Sequence, residues 1–166
     1  KSDIQKILGL FFLIISFYTI FKIRNDFNND YFHILFVAIV CVSTDVGGYI
    51  FGKLFKGPKL TKLSPNKTYS GVIGSFLIPT IFTNLFFELT LNIHNFEYTK
   101  KTLVFVLIIS LVSQIGDIII SFFKRLSKIK DTGNIIPGHG GILDRIDGMI
   151  FAYPFSYLVF LNWNFQ

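Results

Sequence analysis

Residues 102–123 read TLVFVLIISLVSQIGDIIISFF, an unbroken apolar run whose single charge is Asp117. At 1.5 Å rise per residue, about 20 such residues cross a hydrocarbon layer of roughly 30 Å, so this stretch is long enough to span a membrane as a helix. The same ruler, moved outward, finds comparable stretches at 5–22, 31–52, 70–92 and 142–163. The last begins with Asp144, Arg145 and Asp147, so its apolar part starts near Gly148. Pro79 and Pro154 fall inside spans, where membrane helices tolerate proline if neighbours satisfy the freed carbonyls. The expected fold is all-α: a polytopic membrane bundle of about five transmembrane helices, forming one membrane domain over 1–166.

Composition agrees. The chain is 51% hydrophobic and 16% charged, with mean hydropathy +0.56, whereas a soluble domain carries about a quarter charged residues. That excludes disorder and argues against a water-soluble monomer. The one cysteine, Cys41, lies within a span and can build neither a disulfide framework nor a cysteine zinc site. The chain opens Lys-Ser-Asp, and its first apolar stretch runs on without a small-residue cleavage pattern, so no signal peptide is read there and the expectation is a part of a longer protein.

Charge in the connections assigns the sides. Residues 53–69 hold Lys53, Lys56, Lys59, Lys62 and Lys67 without an acid, and 124–130 add Lys124, Arg125, Lys128 and Lys130. Cytoplasmic loops collect lysine and arginine, so the second and fourth connections, 53–69 and 124–141, are expected in the cytoplasm and the carboxyl end outside. The net charge of +6 is accounted for by these one-sided loops, which disfavours a nucleic-acid partner.

Against this topology, Asp45, Asp117, Asp144 and Asp147 stand out among ten acids, because an ionised carboxylate within a span is costly and is a functional candidate by default. Asp45 and Asp117 fall about 10 Å below the cytoplasmic ends of their spans, and Asp144 and Asp147 open the fifth span from the same face. Four carboxylates from three helices can therefore share one layer. Ser110, Ser113, Gln114, Asp117, Ser121 and Lys124 recur at three- or four-residue spacing and draw one polar stripe down an apolar helix, which must face protein or water. Buried ion pairs among Lys124, Arg145 and these acids, serving only helix association, are the plainer alternative. Thr83 and Asn84 read as interhelical hydrogen bonds.

Between stripe and last span runs Asp131-Thr-Gly-Asn-Ile-Ile-Pro137-Gly138-His139-Gly140-Gly141. Glycines around a histidine, ending at a helix start, let the backbone approach a ligand with its amides free, which suits phosphate oxygens. Ser64-Pro65-Asn66-Lys67-Thr68 with Gly71 forms a similar second segment, offering a hydroxyl, an ammonium and a close-approach glycine.

At these residues a family resemblance becomes specific. The run SFFKRLSKIKDTGNIIPGHGGILDRID, Ser121 to Asp147, resembles the signature of phosphatidate cytidylyltransferases (CDP-diacylglycerol synthases) at Ser121, Lys124, Arg125, Lys130, Asp131, Gly133, Pro137, His139, Gly140, Gly141, Asp144, Arg145 and Asp147. TDVGGYIFGK around Asp45, SPNKT, and QIGD ending at Asp117 are also similar to family segments in order and spacing. Asn66, Ser70 and Gly148 depart from it, standing where relatives often carry Lys or Gly, Glu, and Ser respectively. The resemblance covers roughly residues 40–155 and implies a carboxyl-terminal catalytic part.

The resemblance implies transfer of a cytidylyl group from CTP to phosphatidate, giving CDP-diacylglycerol and pyrophosphate. Magnesium would be the cofactor, with room for a second cation. Asp117, Asp144 and Asp147 are the implied metal ligands. Lys67, Lys124, Arg125 and Arg145 would take phosphate charge, His139 with its glycines would contact phosphate, and Asp131 joins the catalytic set. Ser64, Thr68, Gly140, Gly141 and Asp45 fall to substrate binding. A bacterial inner membrane with the site facing the cytoplasm follows from the same likeness, and a homodimer is compatible with it. Competing readings are a CTP-dependent polyprenol or phytol kinase, a cation or solute transporter module, and a non-catalytic membrane subunit. The detailed KR-to-DRID pattern speaks against the kinase. Carboxylates crowded toward one face, rather than at the midplane, speak against the transporter.

Overall fold

The computed structural model describes residues 2–27, 31–60, 67–94, 100–129, 132–133, 141 and 143–162, without the side chains of 2–6, 8, 90–94 and 145. Five helices follow one another: α1 (Ser2–Asp26), α2 (Phe32–Phe55), α3 (Tyr69–His94), α4 (Lys100–Leu126) and α5 (Leu143–Asn162). No strand occurs among the described residues, only a single bridge between Lys59 and Thr68. The fold is all-α, and α2, α3 and α4 are long and apolar enough to cross a membrane. The apolar stretch of α5, Ile146–Asn162, is shorter.

Helices α2 and α4 run further than their apolar stretches. Hydropathy marks what suits hydrocarbon, whereas lysine and arginine are good helix formers that carry the hydrogen-bonded spiral into the interface on their long stems. Lys53, Lys124 and Arg125 therefore sit inside helices rather than in loops. Asp45 and Asp117 are ten and nine residues from those ends, about 15 and 14 Å along the axis, deeper than the sequence suggested.

The bundle has two unlike halves. In one, Ile23, Phe36, Val37, Phe105, Ile109 and Phe160 form the buried core, with Phe105 stacked on Phe36 at 5.4 Å and on Phe160 at 4.9 Å between ring centroids. In the other half, toward the ends of α2 and α4, small and polar residues such as Thr44, Ser110, Ser113 and Gly116 are buried between the helices. Around both, leucines and phenylalanines such as Leu54, Leu89 and Phe11 are 61–72% exposed, an outer surface suited to lipid and not to water.

Helices α2 and α3 touch backbone to backbone. A methyl group on Gly47 would collide with the Gly74 carbonyl and Ile78, and one on Gly71 would stand 2.7 Å from the Gly48 carbonyl. Without a hydrophobic drive inside lipid, such small-residue contact is what lets helices gain packing energy. On the other side of α4, Gly116 receives the Phe151 ring of α5. In α3, the Thr83 hydroxyl makes no interhelical hydrogen bond among the described residues, although its sequence suggested one: it lies 2.6 Å from the Pro79 carbonyl of its own helix, and Asn84 is exposed.

The crossing makes a paired prediction. Gly47→Ala, whose new methyl meets backbone that cannot rotate away, lowers stability in detergent by about 1–3 kcal/mol. Gly48→Ala meets Ser75 at an ordinary 3.6 Å and changes little. Thermal unfolding of the two variants checks this, and equal midpoints would refute the close crossing.

Candidate active site

Helix α4 supplies the axis of the site. Its stripe faces inward: Ser110 and Ser113 are fully buried, and Thr44 Oγ1 of α2 lies 2.9 Å from Ser110 Oγ. One turn further on, Gln114 and then Asp117 face a pocket of about 260 Å³ between α2, α3 and α4. Asp45, Thr44 and Tyr49 of α2, Ser75 of α3, and Lys67 and Thr68 of the preceding connection complete its wall.

Local structure aims Lys67. The Leu60 amide donates to the Lys67 carbonyl at 2.7 Å and the Tyr69 amide to the Pro58 carbonyl at 3.2 Å, so the connection returns on itself before α3. Thr68 then caps α3: its Oγ1 accepts the Gly71 amide at 3.1 Å, satisfying one of the free amides of the first turn. Ser70, one of the departures, adds a hydroxyl contact to Thr68 Oγ1 at 3.0 Å. Held there, Lys67 Nζ reaches across to Asp117 Oδ2 at 3.0 Å.

A second ion-paired group joins α4 to α5. Lys124 Nζ stands 2.9 Å from Asp144 Oδ1 and 3.3 Å from Asp147 Oδ2, with all three side chains no more than 13% exposed. The loop before α5 closes on the same carboxylate, as the amides of Thr132 and Gly141 each donate to Asp144 Oδ2 at 2.8 Å. Asp144 lies ahead of the apolar stretch of α5. Burial alone would raise its pKa, but the Gly141 amide, the Lys124 ammonium and the Thr132 amide together hold it down to about 2, so it is a carboxylate at neutral pH.

Between the two groups stands Asp117, close enough to both Asp45 and Asp147 for the carboxylates to interact. Among the described residues its buried Oδ1 has no hydrogen-bond partner, nor has Ser113 Oγ beside it, and both press on Gly148 so closely that a methyl there would overlap them. The glycine at this departure from the family pattern is thus what leaves room for the Asp117 oxygen. Clustered carboxylates with an orphaned oxygen present hard donors suited to a divalent cation. Among the described residues, no three acidic, histidine or cysteine side chains stand as a ready set of metal ligands, and lysine ammoniums occupy Asp117 Oδ2, Asp144 Oδ1 and Asp147 Oδ2.

The arrangement brings together the side chains of Asp45, Lys67, Thr68, Asp117, Lys124, Asp144 and Asp147 and the backbone amide of Gly141, across three helices and two connections. Arg125 is not in the cluster: it is exposed, and its guanidinium donates to the Ile129 carbonyl at 3.2 Å. Ser64, Asp131, His139, Gly140 and the Arg145 side chain lie outside the described residues. Sequence reasoning missed Thr44, Tyr49 and Ser75. An apolar helix gives no sign of which small polar residue faces a pocket, although Thr44 adjoins Asp45 in the TDVGGY segment.

With this geometry established, similarity to other proteins gives it a family. The model of the cytidylyltransferase family matches residues 2–163. The chain belongs to that family. It is 36% identical over 157 residues to a phosphatidate cytidylyltransferase of Rickettsia conorii, covering 92% of this chain and 68% of that protein. Similar relatives with that name are found in Bacillus subtilis, at 36% over 153 residues, and Brucella suis, at 38% over 151 residues. They cover 92% and 90% of this chain, which spans 56% and 54% of their own lengths. In this member of the cytidylyltransferase family, the paired lysines and carboxylates fall on the segments that carry the resemblance.

Lys124 decides whether the α4–α5 carboxylates are tolerated. Lys124→Met leaves Asp144 and Asp147 buried without their cation, which costs about 3 kcal/mol. Lys53→Met, at an exposed site, stays within about 0.5 kcal/mol. Thermal unfolding in detergent compares them, and similar midpoints would show that the Lys124 pairs carry no stability.

Proposed function

We propose that this protein transfers the cytidylyl group of CTP to phosphatidate, giving CDP-diacylglycerol and pyrophosphate, at the pocket between α2, α3 and α4. The observation that carries the reading is Asp117, a part-buried carboxylate with one oxygen on Lys67 and the other, buried, without a hydrogen-bond partner among the described residues, set among Asp45 and Asp147 in a family member. The names of its relatives support the substrates. The basic ends of α2 and α4, with Lys53, Lys124 and Arg125, support a cytoplasmic orientation of the pocket, where CTP is available.

The chemistry asks little of a base. A phosphate monoester, with its second pKa near 6, is already largely a dianion at neutral pH. Two polyanions must instead be neutralised and aligned so that a phosphatidate oxygen attacks the α-phosphorus opposite the departing pyrophosphate. Lys67 and Lys124 are the cations placed to take that charge, and Asp117, Asp144 and Asp147 hold them in position until phosphate arrives. Thr68 offers its hydroxyl on the pocket wall. Magnesium suits these hard oxygens and would be held by Asp117 with Asp144 and Asp147. When bound, it would neutralise phosphate charge as a Lewis acid.

The test is a product assay on membranes containing the full-length protein. CTP labelled at the α-phosphate gives labelled CDP-diacylglycerol only when phosphatidate and magnesium are both present. Asp117→Asn and Asp144→Asn each lower that rate by at least about 100-fold, on the scale of lost electrostatic stabilisation, while protein remains in the membrane. Lipid labelled from γ-labelled CTP would identify a kinase instead, and undiminished turnover in both variants would remove these residues from the site.

A further inference from the structure

Beneath the carboxylates the pocket changes character, its wall passing from Asp45, Lys67 and Asp117 to the uncharged Thr44, Ser75 and Gln114. Gln114 precedes Asp117 by three residues, so it lies on the same face of α4 about 4.5 Å deeper in the bundle. The hydroxyls of Thr44 and Ser75 are committed, lying 2.7 and 2.8 Å from the carbonyls of Val40 and Val72. Gln114 is not: Nε2 donates one hydrogen to the Ser110 carbonyl at 3.3 Å, and its second hydrogen has no other partner among the described residues. A half-buried amide at this depth gains from an acceptor that the protein does not supply.

Sideways, the pocket reaches the outer surface. Tyr49 on its wall is 67% exposed, between the exposed Val46 and Ile50 on the apolar exterior of α2. The cavity therefore offers charge, a hydrogen-bond donor one helical turn deeper, and, from the level of Asp45 to that of Tyr49, a side open to the apolar exterior of α2. A diacylglycerol phosphate carries the matching groups: a phosphate, ester carbonyls a short carbon link away, and acyl chains that need an apolar side exit.

We infer that Gln114 is a lipid-specificity residue, its side-chain amide donating to an ester carbonyl of the lipid whose phosphate lies beside Lys67. The inference rests on the proposed reaction, and it assigns the floor of that pocket to the diacylglycerol moiety. Selectivity follows from the chemistry, because a dialkyl ether analogue has no ester carbonyl and leaves the amide unmatched.

The experiment compares kcat/KM for dioleoyl phosphatidate and its dioleyl ether analogue in mixed micelles, with CTP saturating and full-length protein. Wild type favours the ester by about three- to tenfold, the worth of one hydrogen bond of this kind. Gln114→Leu brings the ester-to-ether ratio near one. A ratio does not depend on how much of the variant folds, and Gln114→Met serves in the same comparison if the leucine variant turns over neither lipid. Equal rates for wild type, or an undiminished ratio in the variants, would overturn the inference while leaving the reaction intact. If wild type converts neither lipid, the reaction itself falls and the inference with it.

Discussion

An ionised carboxylate inside a membrane-spanning helix must be given a counter-charge, and in this protein that requirement organises the ends of three helices. Asp117 draws Lys67 across from the start of α3, while Asp144 and Asp147 draw Lys124 from the end of α4. Each pair ties a connection to a helix. The returning segment before α3 is fixed over the pocket by one, and the turn before α5, through the Thr132 and Gly141 amides on Asp144, by the other. Buried charges of this kind contribute little net stability, but removing one partner is costly, so they specify an arrangement more than they strengthen it.

Packing around these pairs follows from the same constraint. Polar side chains can converge only where backbones come close, and the glycine contacts of α2 with α3 and of α4 with α5 provide that closeness. Gly148 belongs to this group, since a side chain there would displace Asp117 Oδ1. The stacked phenylalanines at the opposite end hold the helices together by apolar contact, which leaves the charged end free to be built for ligands.

For the proposed reaction, the useful property is a reserve of positive charge below the interface. Lysines held by carboxylates are already positioned and partly desolvated, so phosphate oxygens exchange partners with them and need not order them anew. A pocket that holds Lys67 and opens beside Tyr49 to the apolar exterior of α2 suits a site where phosphate and a lipid meet.

Much of this was legible in the sequence. Apolar length found the helices, because hydrocarbon thickness sets how many residues a span needs, and the three- and four-residue spacing from Ser110 to Lys124 showed which face of α4 turns inward. The cost of charge in lipid singled out Asp45, Asp117, Asp144 and Asp147, and the glycine-rich run from Asp131 to Gly141 carried the family likeness. Pairing was not legible. That Lys67 meets Asp117 and Lys124 bridges two acids depends on which helices are neighbours, and hydropathy is blind to neighbours. Nor could spacing show that Arg125 faces outward, beside Lys124 in sequence but about 100° around the helix from it. The sequence by itself determined an all-α membrane chain with carboxylates at one end, since solvent cost acts on each residue separately. Only the tertiary structure decided which cation each carboxylate holds and where Gln114 points, since those depend on contacts between helices far apart in the chain.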